Sequence, residues 1–264
     1  MPKVKAIRDY FEAKVPSRLK MDFDNVGLLA GETEYNVSRV LVALDITLAV
    51  INEAAEHGAQ LIVSHHPVIF TPLKRIVDSD PAGKKIISMI QKRISAICLH
   101  TNLDSVSGGV NDALMNVLGA KTTGILDVMG TDDRGDDYGV GRIGALDNAM
   151  EFSGFLSKCK SALNTRGLRY HDAGRMVSRI AVCGGSGGSS IKQAFNMGCD
   201  TYITADIKYD QFLEAADLGI NLIDGDHFCT ENVVVPVLGK MLLEGFPELD
   251  VIISAVHGQT ANFY

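Results

Sequence analysis

Ser64-His65-His66-Pro67 sets two imidazoles side by side directly after the apolar run Leu61-Ile62-Val63. The carboxyl end of a buried strand is where open α/β sheets gather their ligands. Neighbours on a straight strand point to opposite faces, but Pro67 holds His66 extended and ends regular pairing, so both rings can turn toward one crevice. The competing reading is one core histidine and one surface histidine, each explained by its own burial. More ligand-type residues stand at other strand ends: His100 and Asp104 follow the run 95–99, and His227 and Glu231 follow Leu222-Ile223. Three imidazoles and two carboxylates from this set suffice for two divalent cations. Imidazole and carboxylate without thiolate suit zinc, iron, manganese or nickel better than copper(I). A helix beginning near Thr230 would place Glu231 in its first turn, where the helix dipole favours an anion, and capping alone would also explain the His227/Glu231 pair.

A second candidate is the run from Cys183 to Ser190, which carries Gly184, Gly185, Gly187, Gly188 and Ser189 between a strand and a helix. Backbone N–H groups of Gly184, Gly185, Gly187 and Ser189 could cradle a phosphate there. The run lacks the P-loop lysine, and Ser190 takes the last glycine place of G-x-G-x-x-G, so a plain turn explains it as well. Arg142 and Lys208 are candidate contacts for an anionic substrate, or simply exposed bases. His100 is a candidate proton shuttle, and Asp226 a partner or added ligand beside His227. His257 follows a strand-like run and is a candidate supporting residue; His57 reads as a helix-end cation and His171 as solvated.

These residues need a framework, and the patterning supplies one. Ile7, Tyr10, Phe11 and Val15 fall at helical spacing ahead of Pro16. Residues 39–45 read as a buried strand, 47–57 as a helix closed by Gly58, and 61–63 as a second strand, which is a βαβ crossover. The same order recurs: strand 179–183, helix 191–197, Gly198, strand 201–204. Residues 39–64 align with 179–204 without a gap, with Arg39/Arg179, Val42/Val182, Ile51/Ile191, Ala54/Ala194 and Gly58/Gly198 identical. The expectation is an α/β protein of two related halves around mixed sheets, 1–130 and 131–264, with no inserted middle domain. The acidic run 131–137 reads as a solvated loop between them.

Composition closes off other classes. With 46% hydrophobic and 22% charged residues in 264, the chain has a core to bury and is not disordered. A net charge of −7 gives no footprint for non-specific binding to nucleic acid or a membrane surface. No run reaches a membrane span, and the amino terminus is amphipathic rather than a signal segment. The five cysteines form no C-x-x-C pair and read as small core hydrophobes, so the expected compartment is the cytoplasm.

The segments DNVGLLAG (24–31), LDIT (44–47), SHHPVIF (64–70), HTNLDSVSGGVND (100–112), GVGRIGAL (139–146), TADIKYD (204–210) and DHFCTE (226–231) occur in the order of a known set. On them the chain resembles the family named for the Ngg-one-interacting factor three, whose members carry the label GTP cyclohydrolase type-two homologues. The resemblance implies a dinuclear metal centre held by His65, His66, Asp104, His227 and Glu231. It also implies two intertwined α/β halves, a ring-shaped hexamer with metal sites facing its cavity, and a nucleotide-like small molecule as substrate. The implied activity is a metal-dependent hydrolase that opens the imidazole ring of GTP with loss of formate. A metal-handling or interaction scaffold without turnover is the alternative from another class. The chain departs from the family pattern in Phe23, where Trp is usual, in Asp226 for Gly, and in Ala205 and Asp210 for Gly and His.

Overall fold

The computed structural model of the chain describes residues 1–132 and 135–264. The chain opens with α1 (Val4–Lys14), which buries Ile7 and Phe11 and stops ahead of Pro16. Then come β1 (Gly27–Ala30), β2 (Arg39–Ala43), α2 (Leu48–Glu56), β3 (Leu61–Ser64), α3 (Pro81–Lys92), β4 (Ser95–Cys98) and the short α4 (Thr101–Ser105). The middle of the chain forms α5 (Val110–Val117), β5 (Ala120–Thr131), β6 (Asp137–Met150), α6 (Phe152–Ala162), β7 (Arg169–His171) and β8 (Val177–Ser186). It continues through α7 (Ile191–Asn196), β9 (Thr201–Ala205), α8 (Tyr209–Leu218), β10 (Asn221–Asp224) and α9 (His227–Glu231). Last are α10 (Val235–Gly245) and β11 (Asp250–Ile253). The fold is α/β with two mixed sheets.

Two compact units result, Met1–Leu103 with Val235–Gly258, and Asp104–Val234 with Gln259–Tyr264. This differs from a cut after residue 130, and strand pairing is the reason. β11 lies parallel to β2, from Asp250 opposite Arg39 to Ile253 opposite Val42, and Arg39 Nε donates to Asp250 Oδ2 at 2.6 Å. The end of the chain therefore returns to the first unit. Residues 120–131 go with the second unit because β5 pairs with β6 along its length. The run 131–137, expected as a loop between the halves, has its two ends in this hairpin, Thr131 closing β5 opposite Asp137, which opens β6; Asp133 and Arg134 lie outside the described residues.

In the first unit the order is β1-β4-β3-β2-β11, all parallel but for β1, which runs antiparallel to β4. Thr47 caps α2, its hydroxyl accepting from Val50 N at 3.2 Å, which fixes where the crossover helix starts. α2 and α3 cover the sheet through Val50, Ile51, Ala54, Ile86 and Met89, packed with Leu41, Ile62 and Ala96.

The second unit's sheet runs β5-β6-β8-β9-β10-β7, with β8, β9 and β10 parallel. Its strands feed two cores alternately. Ile180, Val182, Ile203 and Ile223 pack with Phe155 on one face, and Ala181, Cys183, Tyr202 and Leu222 with Ile191 and Ala215 on the other. Period-two burial on both faces is what a helix-covered parallel sheet requires.

The internal repeat runs further than its identities. β2-α2-β3 and β8-α7-β9 are both parallel crossovers, each is followed by another parallel strand (β4 or β10), and each ends at an antiparallel edge (β1 or β7). After β4 come His100 and then Asp104 in α4; after β10 come His227 and then Glu231 in α9. Both copies thus place histidine and carboxylate four residues apart behind the same strand.

Candidate metal centre

In the first unit the strand ends deliver three imidazoles to one place. His65 and His66 follow β3 and His100 follows β4, with ring centroids 5.1, 5.2 and 5.6 Å apart. One ring nitrogen of each lies within 4.8 Å of the others, a spacing one cation can bridge. Backbone register produces this: His66 N donates to Leu44 O and Leu99 N to Ser64 O, both at 2.9 Å, so the strand pairing carries past the regular sheet.

Each ring is held by its Nδ1. His66 Nδ1 meets Asp45 Oδ1 at 2.7 Å, His100 Nδ1 meets Asp24 Oδ1 at 2.7 Å, and His65 Nδ1 meets Leu99 O at 2.8 Å. With Nδ1–H donating to oxygen, Nε2 keeps its lone pair for a metal, the usual arrangement around ligating histidines. Asp24 is buried, which opposes its ionisation, but hydrogen bonds from His100 and from the Thr101 hydroxyl and N–H outweigh that. They hold its carboxyl far below the usual carboxylate range. His100, expected as a proton shuttle, is therefore anchored as His66 is and stands among the clustered donors.

In the second unit α9 begins at His227 itself, three residues earlier than the sequence suggests. Its N-cap is Asp226, whose carboxylate accepts from Cys229 N at 3.2 Å. Asp226 thus serves as a helix cap through that oxygen. One helical turn brings His227 Nε2 to 3.1 Å from Glu231 Oε2, while His227 Nδ1 meets Asp206 Oδ2 at 2.7 Å. Two glycines make room. A Cβ on Gly185 would lie 2.1 Å from Glu231 Oε1, and one on Gly184 3.3 Å from Glu231 Cγ. Asp104 sits in α4, where its carbonyl accepts from Asn111 Nδ2 at 3.0 Å.

The Glu231 carboxylate facing its Nε2–H, opposed by burial and helped by Asp206, pushes His227 up to about 9. Because this lies above the unfolded value of about 6.5, the pair's stabilisation is complete below that pH and is lost as pH rises through 9. Metal binding needs the neutral ring, so metal affinity should climb over the same interval in which the metal-free protein loses stability. Melting of the chelated protein and metal titrations between pH 6 and 10 would show opposed slopes; parallel slopes would contradict the assignment.

Other expected site residues lie differently. The glycine run is spent on the fold. Gly184 N donates to Asn111 Oδ1 at 2.9 Å, Gly185 N to Thr230 Oγ1 at 3.1 Å, and Gly187 N to Thr204 Oγ1 at 2.9 Å. Gly184 and Gly185 belong to β8, Ser189 is exposed, and three of the four N–H groups expected to cradle a phosphate are thus engaged. Arg142 is 3% exposed, pairs with Asp112 at 3.1 Å and donates to the carbonyls of Gly139, Gly141 and Val106. Its guanidinium braces the fold instead of meeting substrate. Lys208 is exposed at the N-cap of α8. His257 Nδ1 meets Ser254 O at 3.2 Å, His57 is exposed beside α2, and His171, expected as solvated, is half-buried in β7 opposite Leu222 of β10. All five cysteines are buried free thiols, and burial pushes Cys183 up to about 12 and Cys98 up to about 11, as core hydrophobes require.

Sequence reasoning did not single out Asp24, Asp45 and Asp206, the carboxylates that hold three of the rings. Each stands in a quoted segment, DNVG, LDIT or TADI, and Asp45 and Asp206 each lie just beyond the end of a parallel strand.

Relatives agree with this architecture. The sequence matches the Duf34/NIF3 (NGG1p interacting factor 3) family over residues 2–260. A Clostridium perfringens protein named GTP cyclohydrolase 1 type 2 homolog is 38% identical over 240 residues, covering 90% of this chain and 89% of that one. The crystal structure of a Staphylococcus aureus hypothetical protein superposes with a TM-score of 0.92 at 32% identity, over 99% of both chains. A Bacillus cereus protein related to NIF3 does so with a TM-score of 0.93 at 26% identity, over 100% of both. Matched in sequence from one end to the other and in fold across two mixed sheets, the chain belongs to the Duf34/NIF3 family.

Proposed function

We propose that the chain binds two divalent metal ions through His65, His66, Asp104, His227 and Glu231, with His100 as a further imidazole, and hydrolyses a nucleotide-like substrate. The observation that carries this reading is the trio His65, His66 and His100, with every Nδ1 tied to an oxygen and the ring nitrogens clustered. Such a donor set, all imidazole in the first unit and imidazole with carboxylate in the second, fits zinc, iron, manganese or nickel. Two such ions would supply Lewis acidity at the attacked carbon and a more acidic attacking water. The chain's own contribution is orientation: Asp45, Asp24 and the Leu99 carbonyl fix the three rings, and Asp206 fixes His227. The names of the relatives support GTP as the first substrate to try, with formate as the product of ring opening. A hexameric ring is the assembly we attach to this reading.

One observation favours the second reading, a metal-handling protein without turnover: the glycine run gives most of its N–H groups to the fold. The metal-loaded chain would be incubated with GTP and other nucleotides while formate, phosphate and ring absorbance are followed. Turnover that is abolished in Glu231→Ala is the expected result. No turnover on any substrate, together with rapidly exchanging metal, would overturn the hydrolase in favour of the carrier.

A further inference from the structure

Two phenylalanines stand exposed next to the imidazole cluster. Phe23 is 63% exposed and Phe70 46%, and large aromatic surface left in water beside a polar cluster is a mark of ligand contact. Their centroids lie 6.2 Å apart with planes at 73°, and Phe70 stands 5.8 Å from His100 at 89°. The rings thus continue the cluster outward without a break, Phe23 to Phe70 to His100.

Their backbones are tied to the same groups that hold the imidazoles. Phe23 directly precedes Asp24, the carboxylate on His100, and Phe70 lies four residues after His66. Asn25 locks the two segments together, its Nδ2 donating to Ile69 O at 2.6 Å while its own N–H meets Asp24 Oδ1 at 2.7 Å. Placing an aromatic ligand there costs little ordering entropy, since the supporting segments are already fixed.

We infer that Phe23 and Phe70 form a stacking corner for the planar heterocycle of the substrate, a ring of purine or pterin type, and set its edge toward His65, His66 and His100. This rests on the hydrolase reading for the chemistry that follows, but the corner itself is a binding feature. The near-perpendicular rings suit a flat ligand, with one ring as a floor and the other as a wall. A ligand with no flat face, such as a polyphosphate, would gain little from such a corner. Base–aromatic stacking tolerates different bases because every base has a π-face, so selectivity for ring over no ring is expected to exceed selectivity among rings.

The test compares GTP, ATP and a pterin with inorganic tripolyphosphate, which has no ring, by calorimetric titration of the metal-loaded full chain. Wild type should bind the ring compounds more tightly than tripolyphosphate. Phe23→Ala and Phe70→Ala should each weaken ring binding about tenfold while leaving tripolyphosphate and metal content unchanged, and Phe70→Tyr should restore it. Phe23→Ala guards against an indirect effect, since Phe23 makes no ring contact with His100. Absence of ring binding by wild type, or equal binding by wild type and both alanine variants, would overturn the corner. A double alanine variant that changes the sedimentation coefficient and not ring binding would do the same, by showing that the pair serves contact between chains. Ring binding without turnover would sink the hydrolase and leave the corner standing, whereas turnover untouched by both variants would sink the corner alone.

Discussion

His66→Ala is expected to lower the divalent metal bound by the purified protein to less than half of the wild-type amount, while the fold persists. The position is chosen over His65 because His65 is fully buried, so its removal would open a hole in the core as well as remove a donor. His66 is only partly buried, and its Nδ1 is held by the half-buried Asp45. Asp45→Asn should act in the same direction and more weakly. The amide keeps the size but loses the anion that favours Nδ1–H, which leaves Nε2 a weaker donor to metal; such partners are worth about 10–100-fold in metal affinity. Metal analysis of protein prepared without chelator, with circular dichroism as the check on folding, separates the two effects. Unchanged metal in His66→Ala would remove the centre on which the functional reading stands.

The parallel βα units were legible because burial on both faces writes continuous apolar runs, and a glycine at positive φ punctuates the first crossover helix of each copy. Gly58 and Gly198, at φ 67° and 75°, mark those turns in both copies. The β5–β6 hairpin was not legible. Its strands mix Gly, Thr, Asp and Arg, and register shifts at 122–124 and 128–130 break the alternation on which a strand reading depends. The histidines and carboxylates of the site stood out by type and by position at strand ends. Their supporting carboxylates did not, because Asp24 and His100 are 76 residues apart and only the sheet order β1-β4-β3 brings them together. The glycine run failed for a related reason. Sequence shows that N–H groups are accessible to something, but Asn111, Thr204 and Thr230, which take them, come from three separate elements.

Gly185→Ala should cost both stability and metal, and a matched control can separate the two. Gly185 sits at φ 64°, where a side chain costs about 1–2 kcal/mol. Its new Cβ would also stand 2.1 Å from Glu231 Oε1 and 3.2 Å from His227 Cε1. Glu231 is 4% exposed, so it has little room to swing away without losing His227 or pushing on β8. The strained backbone alone should destabilise the fold by about 1–3 kcal/mol, the range for a non-glycine held in a sparsely populated region, and the displacement of Glu231 adds to it. Gly198→Ala is the control: φ is 75°, and nothing lies within 4 Å of the added carbon. It carries the backbone strain without the collision. Gly198→Ala should therefore show only the strain part of the loss in denaturant melts, Gly185→Ala should show a larger loss, and only Gly185→Ala should lose metal. If both keep wild-type metal content, Glu231 does not need the position that Gly185 leaves open for it, and its place in the ligand set falls.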